Sequence, residues 1–398
     1  MTNEELILIA NAASKGDIET MGDILKQASG KVDFQDYTLK NTVSQLIRHN
    51  HYEILNQFIQ KGILSTDLYD YDRLDTAVID VLVRPQVLAE DALTDYLDWL
   101  RGYLTQIDDI DEEVASVTLL EHALTVKAPV SILKTIVDAG ADLHRTDQYG
   151  QTLLFKVCNL RMQDPQRICE LIDWLLAEGV DPNAANVEQK TPLHVAVDTV
   201  KIEAVEKLLQ AGADPNLADW NGETVFYYAV ARQFNATLLE KLLHDATPDF
   251  HRQTKQGENL LNAFLRMIYN DSEQNVKIVN LLLEHGADLK EASLWYQREK
   301  TGVDWLAERS AALLENVMER GYLDVDYRDN LGNTLLHKVC QVELNYDENK
   351  ARDLYRKVKY LIQQGINPQI ENTEDKKAVD YAMADNLKVK TVEWLLKQ

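Results

Sequence analysis

The sequence predicts an all-α solenoid of about eleven stacked helix–turn–helix units. Three observations predict it. A helix start, most often headed by threonine, recurs at intervals of 33 to 43 residues. At the other end of each unit, two apolar residues precede a glycine. Between these marks the apolar positions fall at helical spacing.

The bulk composition permits this. The chain has 398 residues, 45% of them apolar, and only 16 Gly and 8 Pro. One globule of this length would be expected to split into domains, whereas an array grows along one axis. A single array over residues 1–398 is therefore expected, with residues 1–36 and 373–398 as its capping repeats.

The first element opens in "MTNEELILIANAASKG", where Thr2 and Glu5 fit a capping box. The stretch has no basic leader, and its apolar run is too short for a signal peptide. No run approaches 18 apolar residues, so no membrane span is expected. The cysteines, Cys158, Cys169 and Cys340, are odd in number and form no C-x-x-C pair. That fits a reducing, cytoplasmic setting. A formal charge of −24 argues against nucleic acid and anionic membrane as partners, and permits a basic protein.

The period is read from Thr191 of "TPLH". Its equivalents are Thr42, Thr76, Thr152, Thr224 and Thr334, with weaker matches at Thr118, Asn259, Thr301 and Lys377. The first helix aligns with Ile7 at this position. Successive spacings are 35, 34, 42, 34, 39, 33, 35, 42, 33 and 43. Glycine stops follow at Gly62, Gly140, Gly179, Gly212, Gly286, Gly321 and Gly365, where a left-handed residue would close a helix. The third unit, roughly 71–111, shows no clear stop. In 202–209 the apolar residues Ile202, Ala204, Val205, Leu208 and Leu209 form one stripe, which a stacked neighbour would bury. Extra polar residues near 159–167, 269–275 and 341–349 account for many of the longer spacings and read as exposed loops.

Residues 191–196, "TPLHVA", followed by "GADPN", resemble the ankyrin repeat, a β-turn plus two helices in about 33 residues. The resemblance extends in weaker form over nearly the whole chain. It implies short β-turn fingers at the unit ends. It also implies a binding face built from finger tips and first helices, and a hydrogen bond between Thr191 and His194. By position, Thr191 is a helix N-cap and Pro192 the first helical residue. Only His194 and His337 keep the histidine; Gln45, Ile79, Phe155, Tyr227 and Asn262 stand elsewhere. A turn staple tolerates such replacement and a catalytic base does not.

No phosphate-binding, nucleophile-elbow, zinc-protease or EF-hand motif is present. His49 and His51, read as one helix, point to different faces. Cys158 and Cys340 share a register that reads as core. Trp174 and Trp394 read as packing, and Arg352, Arg356, Lys357 and Lys359 as a solvated basic face. No cofactor, metal or catalytic activity is expected.

The finger tips would place Tyr37, Gln148, Tyr149, Trp220, Asn221 and Asn330 outward, with Trp220 the first choice of anchor. Residues 51–150 hold 19 acidic and 7 basic residues, concentrated in 66–75 and 107–113. The acidic tip contributes Tyr69, Asp70, Tyr71, Asp72 and Asp75, a mixture suited to a Lys- or Arg-rich surface. Arg232 completes the candidate contact set. Three functions fit. One is a monomeric inhibitor or immunity-type protein masking a basic surface. The second is an adaptor or host-directed effector that binds through Trp220 and Tyr149 independently of salt. The third is an enzyme with an unrecognised site.

Overall fold

The computed structural model describes residues 1–28, 33–84, 88–161 and 164–398, in two compact units, Met1–Thr146 and Asp147–Gln398. Parts of the expected N-terminal cap, the third repeat and the 159–167 loop lie outside the described residues.

Eleven helix pairs follow one another among the described residues, as the period predicts. The first unit holds α1 (Asn3–Ala13) with α2 (Ile18–Gln27), and α3 (Tyr37–Arg48) with α4 (Tyr52–Gln60). It continues with α5 (Ile79–Val83) and α6 (Glu90–Leu104), then α7 (Leu119–Thr125) and α8 (Val130–Asp138). The second unit begins with α9 (Leu153–Asn159) and α10 (Pro165–Ala177), then α11 (Pro192–Asp198) and α12 (Ile202–Gln210). Next come α13 (Val225–Tyr227), prolonged by a π turn Tyr228–Arg232, with α14 (Ala236–Asp245), and α15 (Leu260–Met267) with α16 (Glu273–Glu284). A hairpin of β1 (Ala292–Trp295) and β2 (Arg298–Thr301) leads into α17 (Gly302–Glu308) and α18 (Ala311–Glu319). The last pairs are α19 (Leu335–Gln341) with α20 (Glu348–Gln363), and α21 (Ala378–Met383) with α22 (Val389–Leu395).

Within each unit the layers repeat. First helices pack on first helices, as α9 does on α11 and α17 on α19. Second helices pack on second helices, as α10 does on α12 and α18 on α20. The seam is the predicted stripe: Ala204, Val205, Leu208 and Leu209 are buried. Burying one such leucine contributes about 1.5–3 kcal/mol, which a helix pair alone could not collect. The stop after α12 behaves as predicted. Gly212 takes φ +86°, while Gly212 N–H and Ala213 N–H donate to Leu209 O and Leu208 O. The other six predicted glycines also have positive φ.

Some helix starts differ from expectation. Thr42 lies inside α3, which starts earlier because the Asp36 carboxylate accepts from Thr38 N (2.6 Å) and Leu39 N (3.1 Å). Thr42 instead donates to Thr38 O and Leu6 O. Ile7 likewise falls within α1, whose cap is the expected Thr2–Glu5 box. Thr76 lies in a turn, and α5 begins only at Ile79. The weaker anchors Thr118, Asn259 and Thr301 do cap helices. The two histidines at 49 and 51 flank the α3–α4 link, with ring centroids 6.3 Å apart, instead of sharing a helix.

Basic side chains close several first helices across the seam of the second unit. Lys201 donates to Cys158 O and Leu160 O, Arg309 to Ile268 O, Lys357 to Ala307 O and Arg309 O, and Lys388 to Cys340 O. Lys357 was expected on a solvated face. It is buried, because its ammonium is needed by the last carbonyls of α17.

Candidate protein-binding surface

In the second unit five fingers begin with an aspartate or asparagine that folds its own turn, while Thr254 heads the finger before α15 and the β1–β2 hairpin precedes α17. Asp219 Oδ1 accepts from Asn221 N (2.8 Å) and Glu223 N (3.0 Å), and Asp219 N donates to Glu223 O. Asp147, Asn186, Asp329 and Asn372 make the same pair of side-chain bonds. This is the local preference of Asx residues, repeated at one register. Backbone bonds then join successive fingers: Val187 N to Tyr149 O, Trp220 N to Glu188 O, Lys255 N to Asn221 O, and Leu294 N to Gly257 O. Farther on, Thr373 N donates to Leu331 O.

The stacking leaves the tip side chains outside. Tyr149, Val187, Trp220, Leu294, Tyr296 and Leu331 are exposed, and all lie at or beside a finger tip. Trp220 is 61% exposed, with the Lys255 ammonium 4.9 Å from its ring centre. Asn221 is exposed beside it. Tyr149 and Trp220 thus occupy the predicted positions. Val187, Tyr296 and Leu331 escaped the sequence reading. Leu331 stands two residues after the start of its finger, as Tyr149 does, and Val187 one residue after, as Trp220 does. Tyr296 sits in the tight turn of the hairpin, where Tyr296 and Gln297 both have positive φ without an Asn-Gly signal.

Behind the tips the charges are satisfied internally. Arg232 pairs with Glu223 (2.5 Å) and stacks 3.9 Å from the Tyr228 ring centre. Arg266 makes two bonds to Glu258 (2.7 and 2.8 Å) and stacks on Trp295 at 4.1 Å. Lys300 pairs with Glu308 (2.5 Å) over Trp305. Burial raises the Glu223 pKa against the pull of Arg232. Arg232 is therefore a committed ion-pair member with a partly exposed edge.

His194 is a staple. Thr191 N–H donates to His194 Nδ1 (3.1 Å), which fixes the ring proton on Nε2, and Nε2–H donates to Glu223 O (3.2 Å). One imidazole thus ties the start of α11 to the next finger. His337 repeats this with Thr334 N and Lys376 O. Burial drives the His194 pKa down to about 4, against the opposing Glu223 carbonyl. Burial also pushes the Cys158 and Cys340 thiols up to about 12. Among the described residues no group of three His, Cys, Asp or Glu side chains is arranged to hold a metal ion. No helix among them is long and apolar enough to cross a membrane.

The acidic tip of the first unit is less available than its sequence implies. Tyr69 is 81% exposed, but Tyr71 is 3% exposed and its hydroxyl donates to Ser65 O. Tyr71 therefore leaves the set of surface contacts; its ring packs edge-on against Phe34. Asp70 accepts from Ser65 Oγ, Asp72 from Gln35, and Asp75 pairs with Arg73 (2.7 Å). Tyr37 is exposed on the first turn of α3, not on a finger. In the second acidic cluster, Asp111 accepts from Asp142 N, and Glu113 pairs with Arg145 (2.5 Å).

The match to one family model agrees with this geometry. A family model described as ankyrin repeats (3 copies) matches residues 120–219 and 166–253. The solved ankyrin repeat domain of Bcl-3, a unique member of the IkappaB protein family, is similar at 22% identity and a TM-score of 0.49. That match covers 63% of this chain and 100% of the other. EF0377, an ankyrin repeat protein, is similar at 23% identity and a TM-score of 0.34, covering 64% and 99%. No curated protein matches the chain. The family match identifies residues 120–253, helix pairs joined by stacked β-turn fingers, as ankyrin repeats.

Proposed function

We propose that this chain is a non-catalytic scaffold that grips a partner protein along the finger row of residues 147–398. Ankyrin repeats are in general protein–protein interaction modules. One observation carries the more specific reading. Five fingers, at Tyr149, Val187, Trp220, Leu294 with Tyr296, and Leu331, present apolar side chains to solvent, while the cations behind them are already paired and stacked. Exposed Trp and Tyr on a rigid frame make effective anchors, and neutralised charge favours apolar contact. Trp220 is the central anchor, flanked by Tyr149, Asn221 and Val187. The reading extends to a monomer acting in the cytoplasm.

The test is affinity purification of the partner, followed by binding measurements. Trp220→Ala is expected to cost about 2 kcal/mol, roughly thirtyfold in Kd, with weak dependence on salt. Wild-type affinity in that variant would refute the reading.

A second reading is an inhibitor or immunity-type protein masking a basic surface. It is favoured by the surplus of acid in residues 51–150. Against it, Asp70, Asp72 and Asp75 already have local partners. It predicts that reversing these three to Lys abolishes binding and its salt dependence while Trp220→Ala does neither.

A further inference from the structure

The finger that carries Trp220 is tied to its own helix pair as well as to its neighbours. Tyr228, 1% exposed, donates its hydroxyl to Asp219 Oδ2 (2.9 Å), and Asp219 is itself buried. The other oxygen, Oδ1, accepts from Asn221 N and Glu223 N. Asp219 therefore holds the tip with one oxygen and is held by the other. Arg232 Nη2 stands 3.9 Å from Oδ2, beyond hydrogen-bond reach, and its fork is spent on Glu223 Oε2. The Tyr228 ring is enclosed: the His194 ring meets it edge-on at 5.2 Å, and Arg232 lies 3.9 Å from its centre. The π turn starts at this residue, with Gln233 N donating to Tyr228 O (2.9 Å). Such turns inserted in α-helices are frequent at functional sites.

The same step along the chain recurs. The residue nine positions after the finger start meets it at three other fingers. Lys156 pairs with Asp147 (3.0 Å), Lys338 pairs with Asp329 (2.7 Å), and Tyr381 Oη accepts from Asn372 Nδ2 (3.0 Å). After Asn186 and Thr254 that step holds Val195 and Ala263, which have no polar side-chain group. Of the described aspartate-headed fingers in the second unit, only that of Trp220 is closed by a neutral donor, which salt does not screen.

We propose that Tyr228 is a positioning residue of the protein-binding surface: its hydroxyl latches the finger through Asp219 and so holds Trp220 where a partner meets it. A finger ordered in advance lowers the entropy that binding must supply. The consequence for affinity rests on the reading of Trp220 as anchor; the latch itself belongs to the free chain.

Amide hydrogen exchange of the full chain without partner, resolved by NMR, tests the latch. In Tyr228→Phe, with its fold checked by circular dichroism, the Asn221 and Glu223 amides are expected to exchange about tenfold faster, while the Gln151 amide, held by Asp147, stays as it was. Lys156→Met should do the converse, speeding Tyr149 and Gln151 and sparing Asn221 and Glu223. Unchanged exchange at Asn221 and Glu223 in Tyr228→Phe, or an equal rise in both fingers, would overturn the proposal. Binding to the purified partner then separates the two readings. Tyr228→Phe should weaken affinity about fivefold, and should weaken it no further on top of Trp220→Ala. Wild-type affinity in Tyr228→Phe, where Trp220→Ala does weaken binding, would overturn the positioning role. Wild-type affinity in Trp220→Ala would instead refute the anchor, and the latch would stand or fall on exchange alone.

Discussion

A protonated imidazole is disfavoured at His194, because its Nδ1 accepts from Thr191 N and the ring is fully buried. The folded pKa of about 4 lies below the ordinary 6.5. The unfolded chain therefore binds the extra proton between those values. The stabilisation is complete above pH 6.5 and is lost as pH falls toward 4. Its size is about 3 kcal/mol. His337 is shifted down too, and adds in the same direction. His251, raised by Glu291, is fully exposed and works the opposite way. Urea unfolding at pH 7 and pH 4.5 is expected to show a larger loss for wild type than for His194→Asn; equal losses in both would contradict the assignment. Gly222 is the other decisive residue. It has φ +79°, and an added Cβ would stand 3.2 Å from Thr254 Cα on the next finger. Gly222→Ala is expected to cost about 1–3 kcal/mol in the same assay. The exposed place of Trp220 was legible from its position after the finger start, and the Thr191–His194 bond from the resemblance to the ankyrin repeat. Tyr71 was not: Tyr69 and Tyr71 look alike in "DLYDYD", and only the Ser65 backbone decides which turns in.

At the scale of the element, the glycine stops were legible and some helix starts were not. A stop needs one residue type in one conformation, whereas Asp36 and Thr42 compete for the same role within two turns. The carboxylate wins because it accepts two backbone bonds at once. The links closing first helices were illegible for a different reason. Lys357 and Lys359 are indistinguishable along the chain, but Lys357 alone reaches the carbonyls of Ala307 and Arg309, some fifty residues earlier. Lys357→Met leaves both acceptors unpaired and is expected to cost about 2–4 kcal/mol. Lys359→Met, on the exposed face, is expected to change stability by less than about 0.5 kcal/mol. Equal effects in thermal or urea melts would show that the buried lysine is not a helix closure.

For the whole molecule, stability is a sum of neighbour contacts within each compact unit. Unfolding followed by tryptophan fluorescence and by far-UV circular dichroism is therefore expected to give non-coincident transitions; a single shared transition would contradict this. The number of units was legible because the period survives insertions, which fall between α9 and α10, α15 and α16, and α19 and α20. The exposed finger row was legible only in part, since sequence shows which residues are aromatic but not which fingers join in register. Side-chain oxidative footprinting of the chain, free and bound to its partner, tests the central claim most directly. Protection of Tyr149, Trp220, Tyr296 and Leu331 with Tyr69 unchanged is the predicted result; protection of Tyr69 with the four finger residues still reactive would contradict it.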